Sequence, residues 1–229
     1  MRRSVALLIS ALCLGAVGVQ PVPAAAAAPL TLEYRVKHPT YGDIGSYTNI
    51  IERSGDSVRV QTVVRIAVKV FGATLYREDA DRTEHWKDGR LVYFHGITNK
   101  DGKRLEVTGE ASGDRFAITG PEGTYLAPAD VQPPNPLSPD CLRADTMMSS
   151  VSGKVYPAQV RDNGEETVLV AGQSRRAHKY GIDTDRQHWV WFDDQGVPVM
   201  LESIERGDHV RLTLTRYPET INVAAAPAR

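Results

Sequence analysis

The sequence predicts an all-β, mainly antiparallel fold, in which about 12–14 strands form a curved open sheet or half-barrel with one short helix near residues 140–150. Two observations indicate this fold. Apolar and polar residues alternate with a period of two over long stretches, and dipeptides typical of tight turns recur between them. In the clearest stretch, residues 58–70, no helical repeat competes with the alternation.

Residues 1–28 are typical of a secretory signal peptide. Arg2 and Arg3 give a positive start, residues 5–19 are uncharged and mostly apolar, and residues 24–28 offer small-residue cleavage sites. The apolar core is shorter than the roughly 20 residues of a membrane-spanning helix. We therefore expect a cleaved, periplasmic or secreted protein with no membrane-spanning segment after cleavage.

Residues 29–229 are predicted to form a single β domain with a proline-rich loop at 128–139. Proline cannot donate a hydrogen bond to a sheet ladder, so this loop is expected to cross the surface. Ser138 followed by Pro139 is a typical helix start, which places the short helix at residues 140–150.

The charge and cysteine counts exclude two classes of protein. The chain has 27 Lys and Arg against 28 Asp and Glu, so nothing favours nucleic acid as a partner. It has two cysteines, of which Cys13 lies in the predicted signal peptide. Cys141 would then remain alone, and a disulfide-stapled scaffold is excluded.

Turn dipeptides predict where the strands reverse, because their residues tolerate the positive φ of hairpin turns. They are Gly55-Asp56, Asp88-Gly89, Asp101-Gly102, Gly113-Asp114, Asn163-Gly164 and Gly207-Asp208. If Asp88-Gly89 is a two-residue turn, Glu84 lies opposite Tyr93, and His85 and His95 point to opposite faces. This register argues against a metal site that uses both histidines.

Two tryptophans are predicted to share one apolar strand face. If residues 194–196 form a three-residue loop, Trp191 lies opposite Val199 and Trp189 lies opposite Leu201. Two interpretations remain open: the tryptophans are part of an ordinary core, or they contact an apolar ligand.

His178 and His188 are the better candidates for metal ligands. A three-residue loop at 183–185 would place them diagonally on one face. Two ligands do not make a site, and the sequence shows no third. No metal and no cofactor are therefore expected.

Familiar catalytic motifs are missing from the sequence. It contains no Gly-x-Ser-x-Gly, no phosphate-binding loop, no Gly-x-Gly-x-x-Gly and no His-Glu-x-x-His. Glu84-His85 and Asp183 with Asp185 could be drawn as acid–base pairs, but each is more simply a strand or turn feature. We therefore expect a protein that is not an enzyme.

Four segments resemble a family of uncharacterised exported bacterial β proteins, a domain of unknown function. They are Val68-Lys69-Val70-Phe71-Gly72, Glu84-His85-Trp86-Lys87-Asp88-Gly89-Arg90-Leu91, Thr98-Asn99-Lys100-Asp101-Gly102 and Trp189-Val190-Trp191-Phe192-Asp193. The predicted architecture is also similar to the half-barrels of lipoprotein-localisation carriers. That likeness implies a concave apolar face that holds acyl chains.

The expected function is non-enzymatic binding of a lipid-like or other apolar ligand on the concave face. The alternatives are a structural or protein-interaction module of the cell envelope, which meets a partner protein through its edge strands or proline-rich loop, and, third, a hydrolase. The candidate ligand contacts are the apolar side chains predicted on that face: Val64, Val68, Trp86, Tyr93, Trp189 and Trp191.

Overall fold

The computed structural model describes residues 28–218, which form fifteen β-strands and one 3-10 turn at Pro139–Arg143. Apart from Ala28, the predicted signal peptide lies outside these residues. The strands are β1 (Leu30–His38), β2 (Gly42–Ser54), β3 (Ser57–Val70), β4 (Ala73–Lys87), β5 (Arg90–Lys100), β6 (Lys103–Ser112), β7 (Arg115–Gly120), β8 (Gly123–Pro128), β9 (Thr146–Met148), β10 (Val155–Pro157), β11 (Gln159–Val170), β12 (Gln173–Asp183), β13 (Gln187–Asp193), β14 (Pro198–Glu205) and β15 (Asp208–Leu214).

Thirteen of these strands form one antiparallel sheet, in the order β11-β12-β13-β14-β15-β1-β2-β3-β4-β5-β6-β7-β8. Strands β8 and β11 are its two edges, so the sheet is open. Strand β1 pairs with β15, which joins the first and last strands in the middle of the sheet. The predicted all-β, open and antiparallel fold is confirmed.

Two-residue turns connect most neighbouring strands. At Asp88-Gly89 the φ angles are 51° and 73°, and at Asp101-Gly102 they are 49° and 82°. Positive φ at both central residues is the hairpin turn that matches the twist of the strands. The Asn163-Gly164 turn prediction is wrong, because these residues lie inside β11 at a register shift between Asp162 and Glu165.

Register shifts within the pairs change which side chains share a face. One shift lies between His85 and Trp86, so Glu84 lies opposite Phe94 instead of Tyr93. His85 now pairs with Tyr93, and it therefore shares a face with His95, two residues further along β5. The predicted separation of the two histidines is wrong, because one extra residue on β5 reverses the alternation there.

The register predicted for the tryptophans also shifts by one residue. Trp191 lies opposite Met200, and Trp189 lies opposite Glu202. The Asp193 carboxylate accepts hydrogen bonds from the N–H groups of Gln195 and Val197 at 3.0 and 2.9 Å. The connection 194–197 has four residues instead of three, and β14 carries a bulge where the register shifts between Trp191 and Phe192.

Residues 129–158, here called the inserted segment, connect β8 to β11. Val131, Gln132 and Asn135 are buried, as is Pro133. The prediction that the proline-rich part crosses the surface is wrong for Pro133 and Pro136, which are buried with these residues, whereas Pro134 and Pro139 are exposed. Prolines suit this place since the segment does not join the main sheet and needs no ladder donors.

The predicted helix at 140–150 is shorter than expected. It is limited to the 3-10 turn Pro139–Arg143, after which Ala144 is extended. Thr146–Met148 forms β9, which pairs with β10, and the Met148 N–H donates to Gln132 O at 2.9 Å. These tertiary contacts outweigh the local helix signals.

The main hydrophobic cluster joins the sheet to the inserted segment. It contains Trp86, Phe94 and Phe116 from the sheet together with Val131 and Met148 from the inserted segment. A separate cluster of Val36, Ile44, Val68 and Val210 lies elsewhere on the sheet. This second cluster borders a cavity.

Candidate ligand-binding cavity

A cavity of about 590 Å³ is lined by residues of the sheet and of the inserted segment. Its volume is within the range of about 300–1,000 Å³ that is typical of small-molecule sites. The apolar part of its lining includes Val36, Ile44, Val64, Ile66, Val68, Val210 and Leu212 from the sheet and Pro134, Met147, Met148 and Val151 from the inserted segment.

The apolar wall follows from the alternation of β3. Val64 and Val68 are 3% and 6% exposed and point to the same face as Ile66, whereas Arg65 between them is exposed on the other face. On β4, the partners of Val64 and Val68 are Ala80 and Tyr76. The period of two thus gives one continuous apolar track along this strand.

A group of charged side chains interrupts the wall on β4 and β5. Glu78, Arg82 and Lys100 all line the cavity. Arg82 Nη2 is 3.9 Å from Glu78 Oε1, and the Tyr76 hydroxyl donates a hydrogen bond to the other Glu78 oxygen. Lys100 Nζ lies 5.5 Å from the centre of the Tyr76 ring. Burial and the bond to Glu78 raise the pKa of Tyr76, so this hydroxyl keeps its proton.

Of the two charges in the Arg82–Glu78 pair, Arg82 is the more buried. Its side chain is 10% exposed, and its buried Nε has no hydrogen-bond partner. Gly96 lies directly opposite on β5, and a Cβ there would come within 3.3 Å of Arg82 Cγ and 3.1 Å of the Phe94 ring. The missing side chain at Gly96 therefore leaves the space that the Arg82 stem and the Phe94 ring occupy.

Glu84 lies two residues further along the same face of β4 and is 2% exposed. Its carboxyl accepts a hydrogen bond from Trp86 Nε1 at 3.0 Å. Burial raises the pKa of Glu84 to about 7, although the Trp86 hydrogen bond and the charge of Arg82 act in the opposite direction. This carboxyl therefore changes its protonation state near neutral pH.

A buried amide pair fixes the inserted segment to the sheet. Asn135 Nδ2 donates to Asn49 Oδ1 at 3.1 Å, and Asn49 Nδ2 donates to Asn135 Oδ1 at 3.4 Å. The Thr62 hydroxyl also donates to Asn49 Oδ1, at 2.8 Å. Asn49 and Asn135 are 1% and 7% exposed, so these bonds replace water for otherwise unsatisfied groups.

The far side of the cavity is formed by β13, β14 and the turns beside them. Arg186 Nη1 binds both Glu205 oxygens at 2.9 and 2.7 Å. His188 lies beside this pair, and burial lowers the pKa of His188. The neutral imidazole is thus favoured near the cavity.

Two of the predicted ligand contacts, Val64 and Val68, line the cavity. Trp189 borders a smaller adjoining cavity of about 170 Å³, while its ring stacks on His209 with centroids 5.8 Å apart. These two cavities share several lining residues, among them Tyr47 and His188.

The other three predicted contacts do not line either cavity. Trp86 and Trp191 are 8% and 2% exposed and belong to the main cluster. Tyr93 is half-buried and packs against the His85 ring with centroids 5.0 Å apart. The structure therefore does not bring the six residues together at one surface.

His178 and His188 are not diagonal neighbours. His178 lies opposite Phe192 and His188 opposite Ile182, which leaves them farther apart along the strands than predicted. His178 Nε2 is instead 2.5 Å from Asp162 Oδ1. Among residues 28–218, no three His, Cys, Asp or Glu side chains cluster as metal ligands would.

The charged residues that line the cavity were not among the predicted ligand contacts. The sequence carries a signal for Glu78 and Arg82, because both lie an even number of residues before Trp86 on β4. Residues in phase with a buried tryptophan face the same side. Charged residues are rarely buried, which is why the alternation alone did not point to them.

Comparisons with known proteins show the fold and a family. No protein in the curated set matches. Among solved structures, the chain is similar to a β-barrel-like protein of the domain of unknown function DUF1849 from Brucella abortus, with a TM-score of 0.60 and 11% identity over 83% of this chain and 97% of that chain. None of the helices in the described part of the chain is long and apolar enough to span a bilayer. Residues 42–215 match the domain of unknown function DUF6134, and the chain therefore belongs to this family.

Proposed function

We propose that the protein acts outside the cytoplasm, in the periplasm or as a secreted protein, and binds a lipid-like or other apolar ligand without catalysing a reaction. The cavity of about 590 Å³ is the observation that carries this proposal. Much of its wall is aliphatic, from Val36, Val64, Val68 and Leu212 to Met148 of the inserted segment. The signal-like residues 1–28 support the location.

Burial of an acyl chain against such a wall supplies enough free energy for binding. Burial of an acyl chain contributes about 0.8 kcal/mol per methylene group, so about 14 methylenes give roughly 11 kcal/mol before the entropy of association is subtracted. Specific polar contacts are not needed for measurable affinity.

Native mass spectrometry of protein purified from the periplasm tests the proposal. We expect an adduct that disappears on delipidation, and uptake of a fluorescent fatty acid by the delipidated protein. An unmodified mass together with no uptake would contradict the proposal.

A cavity-filling variant tests the site. Ile66→Trp places a large ring in the cavity from a half-buried position, so we expect it to reduce uptake about tenfold or more. Val63→Trp is the matched control, because Val63 lies on the same strand and faces the other side of the sheet. Equal uptake by the two variants would place the ligand elsewhere.

The edges of the sheet support a second candidate, a protein-interaction module of the envelope. Leu126 on β8 and Leu169 on β11 are 63% and 66% exposed. Open edge strands with exposed apolar residues favour strand addition by a partner. Co-purification of an envelope protein that is lost in both Leu126→Lys and Leu169→Lys would favour this candidate.

A further inference from the structure

Arg82 is a deeply buried cation in the wall of the cavity, of which only a part is apolar. Its side chain is nine-tenths buried, and although the guanidinium donates a hydrogen bond to the Tyr47 hydroxyl, Nε has no hydrogen-bond partner. Removing a guanidinium from water is unfavourable unless a partner replaces the lost hydrogen bonds. The position is also built to hold it, because Gly96 opposite leaves the space for its stem.

Neither of the neighbouring carboxylates, Glu78 and Glu84, forms a hydrogen bond with Arg82. Glu78 Oε1 is 3.9 Å from Nη2, beyond hydrogen-bond distance, and the Tyr76 hydroxyl holds the other oxygen of Glu78. Glu84 Oε2 accepts its bond from Trp86. Arg186 on the far wall provides a contrast, since its Nη1 contacts both oxygens of Glu205 at 2.7 and 2.9 Å.

The apolar track begins beside Arg82 and leads towards the opening. Arg82 pairs with Thr62 on β3, and the next inward-facing residues of that strand are Val64, Ile66 and Val68. Beyond them, Leu75 and Tyr41 line the cavity and are 59% and 43% exposed, which marks the opening. The cation thus lies at the inner end, and the aliphatic side chains of β3 lie between it and solvent, with Glu78 and Tyr76 of β4 opposite Ile66 and Val68.

We propose that Arg82 binds the carboxylate of a single-chain amphiphile, such as a fatty acid, which enters head first and leaves its tail along Val64, Ile66 and Val68. This inference rests on the proposed function. A planar guanidinium matches a carboxylate with two parallel hydrogen bonds. A carboxylate brings one negative charge, whereas a phosphate monoester brings nearly two and would meet stronger repulsion from Glu78 and Glu84.

Calorimetric titration of the delipidated protein with laurate and with 1-dodecanol tests the head group, at about pH 8, where a carboxylic acid in water is ionised. We expect laurate to bind about tenfold or more tightly than dodecanol, because charge-assisted hydrogen bonds are among the stronger ones. Arg82→Met should reduce this ratio to about 1 while dodecanol affinity is kept. The matched control is Arg59→Met, an exposed arginine of β3 that pairs with Glu52 outside the cavity.

A second variant keeps the test decisive if Arg82→Met does not fold. Glu78→Gln removes the competing carboxylate, so laurate affinity should rise several-fold and dodecanol affinity should stay unchanged.

Each other outcome has one meaning. If neither ligand binds, the proposed function fails. If dodecanol binds as tightly as laurate to the wild type, the carboxylate inference fails and the proposed function stands. If the preference for laurate persists in folded Arg82→Met, or if Glu78→Gln leaves laurate affinity unchanged, Arg82 is not the head-group site.

Discussion

Strands β3 and β4 pair along their whole length, yet the two ends of this ladder have different surroundings. At one end, Val58 pairs with Trp86 and both belong to the main hydrophobic cluster. At the other end, Val68 pairs with Tyr76 and both line the cavity. The alternation of inward and outward residues is the same at both ends.

The difference comes from what lies opposite the sheet. Val131 of the inserted segment belongs to the same hydrophobic cluster as Trp86, and neither residue lines the cavity. Beside Val68 the inserted segment leaves a cavity, so apolar side chains meet open space. An apolar sheet face therefore becomes a core or a binding surface according to the segment that covers it.

Truncating one side chain at each end of the β3–β4 ladder should give the largest difference in the free energy of unfolding. We expect Trp86→Ala to lower the free energy of unfolding by about 3–5 kcal/mol, because it empties a close-packed site. Ile66→Ala should lower it by only about 1 kcal/mol, because Ile66 lacks packing partners on its cavity side. Urea unfolding measures both, and equal losses would mean that the cavity wall is packed as tightly as the core.

The titration of Glu84 should give the next largest change in the free energy of unfolding. Its pKa of about 7 lies above the ordinary value near 4.5, so folding takes up a proton between these two pH values. The contribution of Glu84 to the free energy of unfolding is therefore full below about pH 4.5 and falls until about pH 7. Glu84→Gln keeps an acceptor for Trp86 and cannot ionise.

We expect the stability of Glu84→Gln relative to wild type to increase from pH 4.5 to 7, by up to about 3 kcal/mol. Urea unfolding of both proteins across this pH range measures the difference between their free energies of unfolding. The contributions of the other titrating groups are the same in both proteins and cancel in this difference. A difference that does not change with pH would show that Glu84 ionises normally.

The amide pair should have the smallest of the three effects. Asn135→Ala leaves the buried Asn49 amide without its partner, so we expect a loss of about 1–3 kcal/mol in the free energy of unfolding. Asn99→Ala at an exposed position of β5 is the matched control and should change it by less than about 0.5 kcal/mol. Similar losses in both variants would mean that the inserted segment is not held by this pair.

Much of the fold was predictable because it follows from interactions between residues that are close together in the sequence. The period of two and the Asp-Gly turns depend on neighbouring residues only, and they predicted an open antiparallel sheet correctly. The register of the strand pairs was less predictable. One extra residue on β5 makes Phe94, instead of Tyr93, the cross-strand partner of Glu84. Nothing in the local sequence marks that bulge.

The candidate site was predictable in part. Val64 and Val68 line the cavity as the alternation of β3 indicated, whereas Trp86 and Trp191 are enclosed in the core. Sequence alternation gives the face on which a side chain lies, but not what packs against it. Arg82 was missed because charged residues are usually exposed.

The sequence by itself determined that the chain forms a long antiparallel sheet with one apolar face, because strand alternation and turn geometry are properties of adjacent residues. Only the tertiary structure decided that the proline-rich segment turns inward, that it covers one part of that face and leaves a cavity beside the other, and that Arg82 lies inside. These outcomes depend on contacts between residues far apart in the chain, such as Asn49 with Asn135, and no local pattern encodes such contacts.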